Sequence, residues 1–346
     1  MTTLNLQLFA DTNYLNGIKP GTADGYTGNS LSAENKTHYD KTLIRAAQPN
    51  LVHAQFAQKR PIPKNSGKIV NFRKFNPLPK ATTPITEGIT PKGNKLEVTV
   101  IPSEVDQYGD FVTVTDMLDL TAIDPVIVEA TQVIGNQAGM TLDTIVRDKM
   151  HTCGNEFLAP EGGAPESEPP EDVDKWNDFS YDHPLSVGLI KKVVAFLKKN
   201  NAPKIDGSYV GIIHPMAAVD IMNDDAWIDV NAYADASKIF EGELGKIAGV
   251  RFIESSEAKV SLNDPKEGDP VKYFTTLILG QNAYGDTEIE GGGLEVIVKP
   301  VGSGNDPLNQ RATIGWKATK TAEILLDTNI VKVHSYTKFG QTADVN

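Results

Sequence analysis

The chain has 346 residues, 40% hydrophobic and 23% charged, with 33 Lys plus Arg against 45 Asp plus Glu and a formal net charge of −12. Such a composition is globular, long enough for one large or two modest cores, and its acidity argues against nonspecific nucleic-acid binding by the molecule as a whole. One cysteine, Cys153, excludes an internal disulfide and a cysteine-based metal site; the start MTTLNLQLFA lacks the basic flank and apolar length of a signal peptide, and no run reaches about 18 apolar residues, so a soluble protein of a reducing compartment is expected.

Residues 1–35, rich in Thr, Asn and Gly, read as turn or disorder. From Lys36 to Lys59 the residues are good helix formers interrupted by Pro49. Leu43, Ile44 and Ala47, then Leu51, Val52 and Phe56, recur at helical spacing. The same region opens a basic stretch: Lys36 to Lys80 holds ten Lys or Arg and one acid, Asp40, a net of +9, whereas the residues beyond Lys80 sum to −19. The plain reading is a solvated face. The sharper one is self-complementarity, in which the basic segment of one copy lies on the acidic body of the next.

GKIVNFRKF (67–75) then reads as a strand. KLEVTVIP (95–102) alternates, with Leu96, Val98 and Val100 on one side and Glu97 and Thr99 on the other, as a half-exposed strand does. Between them, residues 76–95 hold Pro77, Pro79, Pro84 and Pro91 with Gly88 and Gly93, and little that belongs in a core. Most connections run to about six residues, so this one is a lid, a linker or an arm built to reach another molecule. GDFVTVTD (109–116) continues the alternation, and the three runs together suggest a long hairpin with an irregular tip. A lone hairpin is marginal in water, so it is expected to pack on something outside itself.

The strongest helix signal runs from Asp124, a good N-cap, through Pro125 to about Cys153. Ile127, Ala130, Ile134, Ala138, Leu142 and Ile145 form its apolar stripe. Residues 155–176 make an acidic, proline-rich loop or boundary. SVGLIKKVVAFLKKN (186–200) follows as an amphipathic helix with Ile190, Val193, Val194 and Leu197 inward. GSYVGIIHP is a buried strand, MAAVDIM a short helix, and GVRFIES and YFTTLILG are further strands. The C-terminal part is β-rich, in GLEVIVKPV, RATIGWKAT and AEILLDTNIVKVHSY. Helix and strand mix without regular βαβ alternation, so the fold class is α+β.

Catalytic chemistry is hard to find. None of the six histidines has a metal-binding spacing. His214 with Asp220 would make a general base for a hydrolase, but a histidine at a helix start explains His214 better. His151 and Cys153 close a long helix, where a histidine commonly satisfies terminal carbonyls. Asn223, Asp224, Asp225 and Asp229 lack calcium-loop spacing. The runs EGGG and VGSGND lack the residues of a phosphate-binding loop or a dinucleotide fingerprint. No catalytic residue, cofactor or metal is expected.

Five strings, in order along the chain, carry a resemblance: TTPITEGITP (82–91), QYGDFVTVTD (107–116), GSYVGIIHP (207–215), GELGKIAGVRFIES (242–255) and DPLNQRATIGWKA (306–318). They resemble the major capsid proteins of tailed bacteriophages, in the N4-like group with the Hong Kong 97-type fold. LNLQLFA near the start is similar to the opening of many phage head proteins. The resemblance implies an N-terminal arm at 1–62 and an extended hairpin, the E-loop, at 63–117. A peripheral domain would comprise 118–160 plus 291–346, with a spine helix at 124–153, and an axial domain would span 177–290. It implies self-assembly into hexamers and pentamers of an icosahedral shell around double-stranded DNA, in a virion assembled in the host cytoplasm. Portal and scaffold or decoration proteins would be further partners, with packaged DNA met only nonspecifically at an acidic inner face. Contacts between subunits are expected at Lys59, Arg60, Arg73, Lys74, Ile85, Glu87, Gly88, Ile89 and Lys92. Lys92 or Lys95 would be the donor of any isopeptide cross-link to a neighbour. A nanocompartment shell that encloses enzymes instead of DNA shares the same fold.

Overall fold

The structure is a computed structural model that describes residues 51–85, 87–90, 93–121, 126–160, 183–224, 226–227, 245–263, 271–301, 308–337 and 345. The segment expected as disorder at 1–35 and the part of the expected 36–59 helix before residue 51 lie outside these residues, as does 161–176 of the acidic loop expected at 155–176; the start of that loop instead forms a short strand, Glu156–Leu158. The described chain divides into two compact units.

The larger unit takes its residues from Pro49–Tyr108, Gly139–Gly293 and the chain after Ala318. At its centre is a sheet ordered β5 (Glu156–Leu158), β14 (Ile330–Ser335), β10 (Val271–Leu279), β6 (Tyr209–Ile213), β8 (Val250–Glu254) and β7 (Lys246–Ile247), with β9 (Val260–Asn263) also on β10. All five residues of β6 are buried, because both faces of the sheet are covered. Tyr209 and Ile213 belong to one cluster with helix α3 (Val187–Lys199) and helix α4 (Pro215–Met222). Val210 and Ile212 belong to the other, with Val146 and Met150 from the end of helix α2 (Val126–Met150). Gly211 is needed in β6, since a Cβ there would stand 2.6 Å from the Phe252 ring.

Helix α3 follows its periodicity: Ile190, Val193, Val194 and Leu197 are buried, and the Ser186 hydroxyl caps Leu189 N–H at 3.3 Å. Helix α2 departs from its stripe. Ile134 and Ala138 are buried as expected, but Leu142 and Ile145 are only half-buried, and Asp143, Val146, Arg147 and Met150 face inward. Apolarity missed two of these four because their charges are matched. Asp143 accepts from His53 Nδ1 at 2.7 Å, and Arg147 Nη1 donates to the Glu257 carbonyl at 2.9 Å.

That His53 contact also changes the reading of residues 51–59. Their helical spacing gives turns and the short strand β1 (Gln58–Lys59) instead of a helix. Val52 and His53 sink into the core beside α2, and the Tyr284 hydroxyl donates to the His53 carbonyl. Tertiary contacts outweigh propensity here. Strand β1 lies parallel to β11 (Tyr284–Thr287), which pairs antiparallel with the second half of β13 (Arg311–Ile324), from Tyr284↔Ile324 to Thr287↔Thr321. Strand β14 runs beside β10, so strands from both sides of the expected border at 290 share one sheet.

The smaller unit contains Gly109–Ala138 and Leu294–Lys317. In it β12 (Glu295–Lys299) pairs antiparallel with the first half of β13, from Glu295↔Lys317 to Lys299↔Thr313. Ala312, Ile314 and Trp316 alternate inward, and Trp316 Nε1 reaches Gln137 of α2 at 3.4 Å. Strand β4 (Asp106–Thr115) also pairs with β13 and leads into helix α1 (Asp116–Thr121). This corrects the three-run hairpin: QYGDFVTVTD turns away after Glu104 to join another sheet. Gly109 and Gly315 allow the close approach, a Cβ on the first meeting the Trp316 carbonyl at 2.6 Å.

Candidate interaction surface

The hairpin proper is β2 (Ile69–Phe75) with β3 (Val98–Glu104), in register from Ile69↔Glu104 to Phe75↔Val98. Its root is tied down. Val105 N–H donates to the Lys68 carbonyl at 2.9 Å, Ser103 Oγ lies 3.4 Å from Thr321 Oγ1, and Phe72 is buried. Phe72 packs so tightly on β11 that a Cβ on Gly285 would meet its ring at 2.8 Å. An exposed ion pair, Lys68 with Glu104, closes the end of the ladder.

Beyond the root, cover ends. The alternation of β3 predicts one buried face, yet Leu96, Val98 and Val100 are exposed, as are Glu97 and Thr99. Phe75 at 62% and Leu78 at 53% continue the apolar surface, and Ile85 at 75% and Ile89 at 65% carry it to the tip. Glu87 and Gly88 are exposed between them, and Gly88 takes φ 79°, a left-handed conformation that suits glycine at the turn. Single exposed apolar residues are ordinary, but a continuous set on one ribbon marks an interaction surface.

Eight of the nine expected contact residues are described, and they gather at the tip and beside the root. Ile85, Glu87, Gly88 and Ile89 share the tip, and Arg60, Arg73 and Lys74 line one cleft beside the root. Lys59 is exposed on β1 between the cleft residues Gln58 and Arg60, and Lys92 lies outside the described residues. Lys95, the other cross-link candidate, is exposed. Phe75, Leu78, Leu96, Val98 and Val100 were missed as surface, since their alternation is the same signal a buried face gives. The smaller unit has a second exposed apolar group in Phe111, Met117, Leu120, Val296 and Val298.

The residues weighed for catalysis are occupied structurally. His214 caps α4, its Nδ1 accepting from Met216 N–H at 3.1 Å, and burial lowers its pKa. Asp220 accepts from Thr337 Oγ1 at 3.3 Å. Cys153 is buried, and desolvation pushes its thiol up to about 11, far from a reactive thiolate. Asp224 accepts from Val187 N–H at 2.8 Å and Ala226 N–H at 2.9 Å, as a loop-fixing carboxylate does. Asp225 and Asp229 lie outside the described residues.

No family model and no curated protein matches the chain. Solved structures do. A chain of the cyanophage Pam1 capsid matches with a TM-score of 0.67 at 12% identity, covering 92% of this chain and 100% of the other. A chain of the cyanophage P-SCSP1u capsid matches with a TM-score of 0.65 at 14% identity, over 93% and 100%. The chain has the fold of phage capsid proteins. The Ralstonia phage GP4 capsid agrees, at a TM-score of 0.62 and 14% identity over 92% of this chain and 99% of that one. This capsid fold is the α+β, Hong Kong 97-type class expected from the sequence.

Proposed function

We propose that this chain is the major capsid protein of a tailed bacteriophage, of the N4-like group, whose copies form the hexamers and pentamers of an icosahedral head shell around double-stranded DNA. The observation that carries the reading is the capsid fold itself, shared with the two cyanophage capsid chains over more than nine-tenths of this chain and the whole of each of them. The exposed apolar hairpin supports it. Burying a Val, Leu, Ile or Phe side chain stabilises by about 1.5–3 kcal/mol. Eight exposed on the hairpin (Ile69, Phe75, Leu78, Ile85, Ile89, Leu96, Val98 and Val100) therefore represent on the order of 10 kcal/mol of gross association energy. That is comparable with the whole stability of a domain, before the ordering costs of association are subtracted.

In this reading residues 1–62 are the arm, and the hairpin within 63–117 is the E-loop. Helix α2 is the spine of a peripheral domain of 118–160 plus 291–346, and 177–290 form the axial domain. Head-to-tail contacts of this kind are heterologous and close into rings. The protein is structural, not enzymatic. It resides in the virion after assembly in the host cytoplasm, with portal and scaffold or decoration proteins as partners. Duplex DNA carries about one negative charge per 1.7 Å, so an acidic body at the inner face lets the packaged DNA slide. Electron microscopy of the purified protein tests the reading: closed shells or capsomer rings are expected, and a monodisperse monomer at every salt concentration would overturn it.

A further inference from the structure

Arg60 follows β1, and Arg73 and Lys74 lie on β2. They line a cavity of about 530 Å³ with Phe72, Ile101 and Leu325 among its apolar residues. None of the three cations forms an ion pair among the described residues. Other lysines of the same unit do: Lys149 with Glu323 at 3.0 Å, Lys320 with Asp286 at 2.5 Å and Lys332 with Glu156 at 2.9 Å. In a chain of net charge −12, acids are plentiful. A cleft that keeps three cations unpaired around an apolar floor is therefore complementary to an acidic segment from elsewhere.

We propose that this cleft receives the acidic, proline-rich segment Glu161–Asp174 of a second copy. The proposal rests on the assembly reading above and names two surfaces that meet in it. The segment carries Glu161, Glu166, Glu168, Glu171, Asp172 and Asp174 with no Lys or Arg, the densest run of acid in the chain. Pro165, Pro169 and Pro170 favour an extended polyproline backbone, which has no internal hydrogen bonds to satisfy and suits a groove. At three residues per turn, Glu168 and Glu171 fall on one side of such a helix. Arginine forks take carboxylates in bidentate pairs.

The segment follows β5, which runs parallel to β14 and is held at its exit by Ala159 N–H donating to the His334 carbonyl at 2.8 Å. The cleft residue Leu325 precedes the beginning of β14. At about 3.1 Å per residue an extended stretch of that length spans roughly 40 Å, enough to cross to an adjacent copy, and the assembly reading sets copies side by side.

Two measurements test this. A fluorescent peptide of residues 161–174 is titrated into unassembled full-length protein. Binding is expected to weaken about tenfold between low and high salt and by at least as much in the Arg60→Glu/Arg73→Glu/Lys74→Glu variant. Equal binding by that variant overturns the proposal. The full-length Arg73→Cys/Glu168→Cys variant is then assembled and oxidised; Cys153 is buried and does not compete. A ladder of covalent multimers on non-reducing gels is expected. Shells that yield only monomer, or a cross-link closed within one chain, overturn the docking of a second copy while leaving the capsid reading intact. Failure of the unmodified protein to form shells at all, with the peptide still bound, would instead sink the capsid reading.

Discussion

Strands β3 and β6 are both short and rich in apolar residues, yet they meet opposite fates. Every residue of β6 is buried, with a strand on each edge and a cluster on each face. Five of the seven residues of β3 are exposed, and β2 is its one strand partner among the described residues. Alternation reveals that a strand has an apolar side; it does not reveal which molecule covers it. In β6 the cover comes from helices of the same chain. In β3 the apolar side is left for another surface, and the root formed by Phe72, Ser103 and Val105 is what holds the ribbon.

The contrast breaks most visibly if the exposed part is removed. Replacing residues 78–92 by a tight Asn-Gly turn should abolish shell formation seen by electron microscopy, while the thermal midpoint of the monomer stays within a degree or two. Normal shells from the shortened chain would show that the tip reaches nothing. In the body the order reverses. Phe274 is fully buried on β10, and Phe274→Ala should cost about 3–5 kcal/mol in urea unfolding. A cost under about 1 kcal/mol would mean the central sheet is not the core described. The junction lies between these extremes. Gly285→Ala places a methyl 2.8 Å from the Phe72 ring, an overpacking expected to cost about 1–3 kcal/mol. Because Phe72 anchors the hairpin, assembly should weaken with it, and a Phe72→Leu partner substitution should recover part of both.

The elements that a single chain satisfies locally were the legible ones. Helix α3, with its Ser186 cap and four-residue apolar rhythm, and the buried runs of β6 and β10 stand where periodicity puts them. Two kinds of information were not legible. Residues 51–57 have helical spacing, but the buried His53–Asp143 contact, 90 residues apart in sequence, determines their course. GDFVTVTD has the same alternation as KLEVTVIP, and only long-range pairing with β13 separates it from the hairpin. At the interaction surface the tip was legible from its prolines and Gly88, because those residues fit no core. The apolar flank from Phe75 to Val100 was not, because exposure depends on which partner is absent from the isolated chain.

The smallest expected effect concerns acid, and it too separates body from hairpin. Glu156 on β5 lies 2.9 Å from Lys332 Nζ and 3.8 Å from His334 Nε2 on β14. Hydrogen bonding from His334, then from Lys332, holds its carboxyl down to about 2 against desolvation. Burial lowers the pKa of His334 and lowers that of His151 well below the usual histidine range. A depressed carboxyl contributes stability that is complete above the unfolded value near 4.3 and lost as pH falls toward about 2. A histidine kept neutral by folding works in the same direction at higher pH: the unfolded chain takes a proton near pH 6.5 that the folded chain refuses, so stability falls below that point. The body should therefore weaken in two steps on acidification, one beginning near pH 6.5 and one near 4.3. Glu156 is about a third exposed, so solvent screening keeps its step small. Thermal midpoints of the chain shortened at 78–92 should show both steps, since the titrating groups belong to the body. Glu156→Gln should flatten the lower step and leave the upper one, whereas an unchanged lower step in that variant would assign the acid loss to other carboxylates.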